Sequence, residues 1–180
     1  MERLWLADNH LKDDGFAEIM KGLLEVGQLK HITYADNEFG EQSVKYVSKF
    51  LERAKQIDRL VISNVTTQPK FIARIFNAAN DRHYIQKIRI SGVSLPDRAV
   101  FKMPEPEEPE TIHEFVLYDE LISHLTESKA LRHLDLSHCN LSGKLLTAIP
   151  QSFIDNSFCK IKRLDLSGNR LTHSKAGKAG

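Results

Sequence analysis

Apolar residues along this chain fall into two alternating patterns, short period-two runs and longer stripes at helical spacing. The clearest short run is LRHLDLSHCNL, residues 131–141, where Leu134 and Leu136 alternate with polar neighbours and share one face of a predicted strand. Leu131, Cys139 and Leu141 complete a frame around them. The same frame recurs as Met1, Leu4, Leu6, Asn9 and Leu11, then as Leu29, Ile32, Tyr34, Asn37 and Phe39. Ile57, Leu60, Ile62 and Val65 form a third copy, and Ile85, Ile88, Ile90, Val93 and Leu95 a fourth. After the copy at Leu131, a last one runs through Ile161, Leu164, Leu166, Asn169 and Leu171. The copies begin at 1, 29, 57, 85, 131 and 161, so the spacings are 28, 28, 28, 46 and 30.

Stripes at helical spacing lie between the runs. They comprise Phe16, Ile19, Met20, Leu23 and Leu24, then Val44, Val47, Phe50 and Leu51, then Phe71, Ile72, Ile75, Phe76 and Ala79. Asp13 and Asp14 suit the start of the first helix and Gly27 its end, while Pro69 suits the first turn of the third. These stripes read as core packed against a sheet. A further helix is predicted from a capping box at Thr111 and Glu114, through Ile112, Phe115, Leu121, Ile122 and Leu125. Ile112, Phe115 and Leu117 are rejected as a repeat strand, because the next copy begins at Leu131. The fifth helix holds Leu145, Leu146, Ile149, Phe153 and Ile154, with Pro150 expected to kink or divide it.

The frame is L-x-x-L-x-L-x-x-N/C-x-L, and a chain built on it resembles the leucine-rich repeats. A period of 28 to 30 with a full helix between strands is similar to the ribonuclease-inhibitor-like class of that family. The resemblance runs from Met1 to Leu171 and implies an α/β fold: a curved solenoid, six parallel strands on its concave face and about five helices on the convex one. Asn or Cys at the ninth position donates to backbone carbonyls of the bend after each strand. Val65 and Val93 replace it in mid-array, so that ladder should be interrupted there; Asn64 is a candidate substitute in the third copy.

Residues 1–171 are thus expected to form one repeat domain and 172–180 a flexible tail. The 46-residue spacing carries an insertion at 96–111, centred on Met103-Pro104-Glu105-Pro106-Glu107-Glu108-Pro109-Glu110. Its prolines and glutamates favour an extended, solvated loop, whose reach would allow it to cover the concave face. The first strand has no preceding cap and the last no following helix, so self-association through the ends is expected.

On the strands, the third, fifth and seventh frame positions point away from the core. The third column is Arg3, His31, Arg59, Lys87, His133 and Arg163, all basic types, and reads as a rail for a protein partner, an acidic one suiting it best. The bland alternative is a solvated strand face that keeps a sheet soluble. The fifth column is Trp5, Thr33, Val61, Arg89, Asp135 and Asp165; Trp5 and Arg89 join the candidate binding set, an exposed Trp being a common interface anchor. The seventh, Ala7, Ala35, Ser63, Ser91, Ser137 and Ser167, is small throughout and allows close approach of a partner's backbone.

Charge and composition narrow the function. A formal net charge of +1 gives no bulk attraction to nucleic acid or membrane, and 41% hydrophobic residues support one sizeable core. No 18-residue apolar run is present, so membrane insertion is not expected. Cys139 and Cys159 lack metal-ligand spacing and read as reduced, which with the absence of a leader-like start points to the cytoplasm. The sequons at Asn64 and Asn140 are discounted on the same ground.

His133, Asp135, Ser137 and His138 have the residue types of a hydrolase. Leu-Asp-Leu-Ser recurs at 164–167 as ordinary repeat consensus, and no nucleophile elbow accompanies it. No Gly-rich phosphate loop appears either, so no catalysis and no cofactor are expected. The expectation is a non-enzymatic intracellular protein–protein interaction module that binds through its concave face. The resemblance also admits a GTPase-activating protein of the Ran-activator type, although this chain ends SKAGKAG where those carry an acidic tail. It admits equally an actin-cytoskeleton regulator of the tropomodulin or capping-protein-linker type.

Overall fold

A computed structural model describes residues 1–25, 28–80, 84–96, 99–104 and 112–169. Six strands, β1 (Arg3–Ala7), β2 (His31–Ala35), β3 (Arg59–Ser63), β4 (Lys87–Ser91), β7 (His133–Asp135) and β8 (Arg163–Asp165), form one parallel sheet in that order. The register is the repeat frame itself: Arg3 faces His31, His31 faces Arg59, and so on to His133 beside Arg163. The fourth and sixth frame positions turn inward, and Ile32, Tyr34, Leu60, Ile62, Ile88, Ile90, Leu134 and Leu136 are buried. Each such side chain contributes roughly 1.5–3 kcal/mol of apolar transfer. At the outer repeats the cover thins, and Leu164 is 38% exposed while Leu4, Leu6 and Leu166 are half-buried.

Helices α1 (Asp13–Leu23), α2 (Glu41–Arg53), α3 (Pro69–Asn80), α4 (Leu117–Glu127) and α5 (Gly143–Asp155) pack side by side in chain order and supply the other half of the core. The stripes of α2 and α3 are buried in full, and Phe16 of α1 stacks on Tyr34 at 3.7 Å between ring centroids. Helix α1 closes on Leu24, and Gly27 lies outside the described residues. Pro150 does not divide α5. It sits on the exposed side, where water can serve the carbonyl its ring leaves without a helical donor.

The chain between β4 and β7 departs from expectation. Residues at the start of the insertion form a strand, β5 (Val100–Pro104), paired antiparallel with β6 (Ile112–Val116) from Val100 beside Val116 to Pro104 beside Ile112. Residues 112–116 are therefore not helical, and α4 begins at Leu117, whose N–H donates to Ala99 O at 2.8 Å. A contact between distant segments starts this helix, and no side chain caps it at Val116. Thr111 lies outside the described residues, so the capping box has no counterpart there. As expected, the hairpin adds no strand to the main sheet. It packs against α3, so the insertion is rooted on the helix layer. The acidic stretch 105–110 lies outside the described residues, and its expected reach across the concave face with it.

The bends after the strands repeat as well. At the eighth frame position Asp8, Asp36, Asn64, Gly92, His138 and Gly168 all have φ between +51° and +69°, the left-handed region that suits Gly, Asn, Asp and His. Next to it, Asn37 Oδ1 accepts from Leu11 N (2.9 Å) and Asn9 N (3.2 Å) of the previous repeat, while its amide donates to Ala35 O at 2.8 Å. Asn169 bridges to Cys139 and Leu141 in the same way. At Val65 backbone groups take over: Phe39 N donates to Thr66 O (2.9 Å) and Thr66 N to Asn37 O (3.0 Å). The Asn64 side chain lies over Gly92 and takes no part in the ladder; a Cβ at Gly92 would sit 2.1 Å from its Oδ1.

Candidate binding surface

Parallel pairing with no shift in register sets residues of one frame position in rows about 4.8 Å apart across the sheet. The third-position row is the predicted rail, with Arg3, Arg59, His133 and Arg163 exposed and His31 and Lys87 half-buried. Trp5 stands on the same face at 77% exposure, beside Thr33 and then Val61, which is buried. All eight sequence candidates thus share one side of the sheet, opposite the helices.

Charge is unevenly distributed along the row. His31 Nε2 lies 2.9 Å from Asp58 Oδ1, and neighbouring Lys30 pairs with Glu2 at 2.6 Å. Arg89 Nε meets Asp135 Oδ2 at 2.8 Å, a cross-strand pair that offsets most of Arg89's charge. Arg163 Nη2 approaches Asp165 Oδ2 at 3.8 Å. No carboxylate among the described residues lies within ion-pair distance of Arg59, Lys87 or Arg132. Partial burial, followed by Arg59, Arg89 and Arg163, pushes the Lys87 ammonium below its ordinary range, with Asp135 acting in opposition.

Two features escaped the sequence reading. Arg132 and Gln86 occupy the second frame position, just before the strands, and join Asp58, Arg59, Lys87 and His133 around a notch of about 110 Å3. The outward columns considered began at the third position and passed over this one. The second is the shortening of β7 and β8 to three residues, where five were expected. Asp135 Oδ1 accepts from Ser137 N (3.1 Å) and Oγ (2.7 Å), and Asp165 does the same for Ser167, so each Asp-x-Ser turns its own strand end. The Ser137 hydroxyl donates to a carboxylate and not to a histidine. The group His133, Asp135, Ser137 and His138 therefore has the bonding of a repeat bend.

The remaining convergences offer no chemistry of another kind. Among the described residues no group of three or more His, Cys, Asp or Glu could hold a metal ion, and no helix is long and apolar enough to cross a membrane. Burial pushes the Cys139 thiol up to about 11, with its Sγ–H directed at Ile90 O, 3.0 Å away.

Sheet, helices and bend ladder together define an α/β leucine-rich-repeat solenoid. The family model for the Leucine Rich Repeat matches residues 130–152 and 160–177. No curated protein matches the chain. Among solved structures, the chain is similar to the tropomodulin C-terminal domain of Caenorhabditis elegans, with a TM-score of 0.61 at 9% identity over 87% of this chain and 84% of that one. It is similar also to a structure described as leiomodin-1 actin-binding site 2, with a TM-score of 0.61 at 13% identity over 87% and 80% of the two chains. At such identities the likeness is one of fold.

Proposed function

We propose that this protein is a non-enzymatic interaction module that takes another protein on its concave face, and that it works in the cytoplasm. The observation that supports this most is the in-register basic row on a sheet face with no helix over it among the described residues. A rigid repeat surface binds without the cost of ordering loops, which suits recognition of a folded partner. The regular 28-residue period with one helix per turn supports the ribonuclease-inhibitor-like class within the repeat family.

A second reading, an actin-associated regulator, is supported by the likeness in fold to tropomodulin and to actin-binding site 2 of leiomodin-1. Co-sedimentation with purified actin tests it directly; protein left in the supernatant at tens of micromolar actin removes that reading.

The broader reading is tested by capturing partners on the full chain, identifying them, and footprinting the purified complex with hydroxyl radicals. Protection of Trp5 and His133, with Tyr46 on α2 and Tyr118 on α4 still reactive, is the expected pattern. The reverse pattern would move the interface to the helices and overturn the proposal.

A further inference from the structure

The charge of the rail is concentrated where its middle strands begin. Arg59, Lys87 and His133 stand at one register position on β3, β4 and β7, and Arg132 precedes His133. Together with Asp58 and Gln86 they line the notch of about 110 Å3. Like charges directly across neighbouring strands repel, and Arg59 beside Lys87 is such a pair. At several other places on this face the structure supplies counter-charges: Asp135 for Arg89, Glu2 for Lys30, Asp165 for Arg163. In the notch, the one carboxylate among the described residues is Asp58, 2.9 Å from His31 Nε2. Among the described residues, three cations, Arg59, Lys87 and Arg132, therefore converge on this concavity against one carboxylate, an excess of positive charge.

We propose that this notch is a carboxylate subsite, which seats an Asp or Glu side chain of an acidic segment of the protein partner. The assignment rests on the concave-face reading above and adds the chemistry of what binds there. A neutral partner would strip water from Arg59, Lys87 and Arg132 and return nothing, at a desolvation cost that opposes docking. A carboxylate accepts charge-assisted hydrogen bonds from them and relieves their mutual repulsion. The size agrees: an open notch of about 110 Å3 has room for one carboxylate with residual solvent. Lys87 is the pivot. Its ammonium stands between Arg59 and His133 in the row and is disfavoured by partial burial and by its cationic neighbours, with Asp135 in opposition, so an anion seated there relieves it.

The test uses the full chain with two fluorescein-labelled peptides, hexaglutamate and hexaglutamine, followed by fluorescence anisotropy at low salt. Saturable binding of hexaglutamate and none of hexaglutamine is expected. Lys87→Ser and Arg132→Ser should each weaken it about tenfold, as expected for loss of a charge-assisted bond. Arg3→Ser, on the same rail outside the notch, should change it by less than about threefold, since exposed distant charges are screened. Circular dichroism melts confirm that the variants fold. Equal losses for Arg3→Ser and Lys87→Ser would reduce the effect to bulk charge and overturn the proposal, as would absence of saturation. Tighter binding of a hexapeptide of phosphoserine by more than about tenfold would overturn the carboxylate assignment in favour of phosphate. The two readings fail separately: a partner footprinted on the concave face with unchanged hexaglutamate binding by Lys87→Ser sinks the notch alone. A helix-face footprint with a working notch sinks only the module reading.

Discussion

Helix α2 opens on Gly40, which has no side chain to cap it, and the cap comes from the preceding repeat. The Asp13 carboxylate accepts from Gly40 N (2.9 Å) and Ser43 N (2.8 Å) through Oδ1 and from Gln42 N (2.9 Å) through Oδ2. It thereby satisfies three of the donors that a helix start leaves open, and it places a negative charge at the positive end of the dipole. Asp13→Ala removes both effects. Loss of an N-cap costs about 1 kcal/mol and loss of the charge at a half-exposed site roughly 0.5–1, so about 2 kcal/mol is expected. In a chain of this size that corresponds to a fall in melting temperature of about 4–8 °C. Asp13→Asn, which keeps one acceptor, should fall in between.

Acid titration separates this account from a general packing effect. Partial burial pushes the Asp13 carboxyl up, and the bonds from Ser43, Gln42 and Gly40 outweigh it and hold it below its ordinary value. A carboxylate depressed in the folded state stabilises fully above its unfolded value, about 3.9, and loses that contribution as pH falls through the folded one. The gap between wild type and Asp13→Ala should therefore be full at neutral pH and shrink below about pH 4. Thermal melts followed by circular dichroism from pH 7 down to about pH 3 check both parts. A variant melting within about 1 °C of wild type at neutral pH, or a gap unchanged in acid, would refute the inter-repeat cap.

Gly92→Ala should cost about 1–2 kcal/mol, because φ is +68° there and its Cβ would strike Asn64 Oδ1. Adding Asn64→Ala should recover the steric share and leave the backbone share; full additivity in chemical denaturation would deny that the two bends touch. Iodoacetamide at neutral pH should label Cys159 in the native protein and spare Cys139, whose buried thiol has its pKa pushed up to about 11. Labelling of both at equal rates by mass spectrometry would contradict that burial.

The bends are legible in the sequence. Asp8, Asp36, Asn64, Gly92, His138 and Gly168 are of the types that tolerate a left-handed backbone, and they fall in one column of the frame. The Asp-x-Ser strand ends at 135–137 and 165–167 are legible too, although as sequence they are indistinguishable from repeat consensus. Arg89 and Asp135 hold opposite charges at the same position of successive copies, from which their pairing follows once the register is known.

The sequence by itself determined the repeat: where the six strands begin, their parallel order, the buried stripes of α2 and α3 and which side chains share the outer face of the sheet, although in α5 the expected core residue Ile154 is exposed. It did so because each unit meets only its neighbours, so a period in sequence becomes a row in space. Tertiary structure alone decided what depends on contacts between distant segments. The hairpin at 100–104 and 112–116 is stabilised by pairing across the insertion and by α3, where local residue preferences pointed to a loop and a helix. Ala99 O, and no side chain, starts α4. Asp13 caps a helix that begins 28 residues after it. The notch is formed by residues from three repeats, and its charge excess is visible only once the register and the Arg89–Asp135 pair are in place.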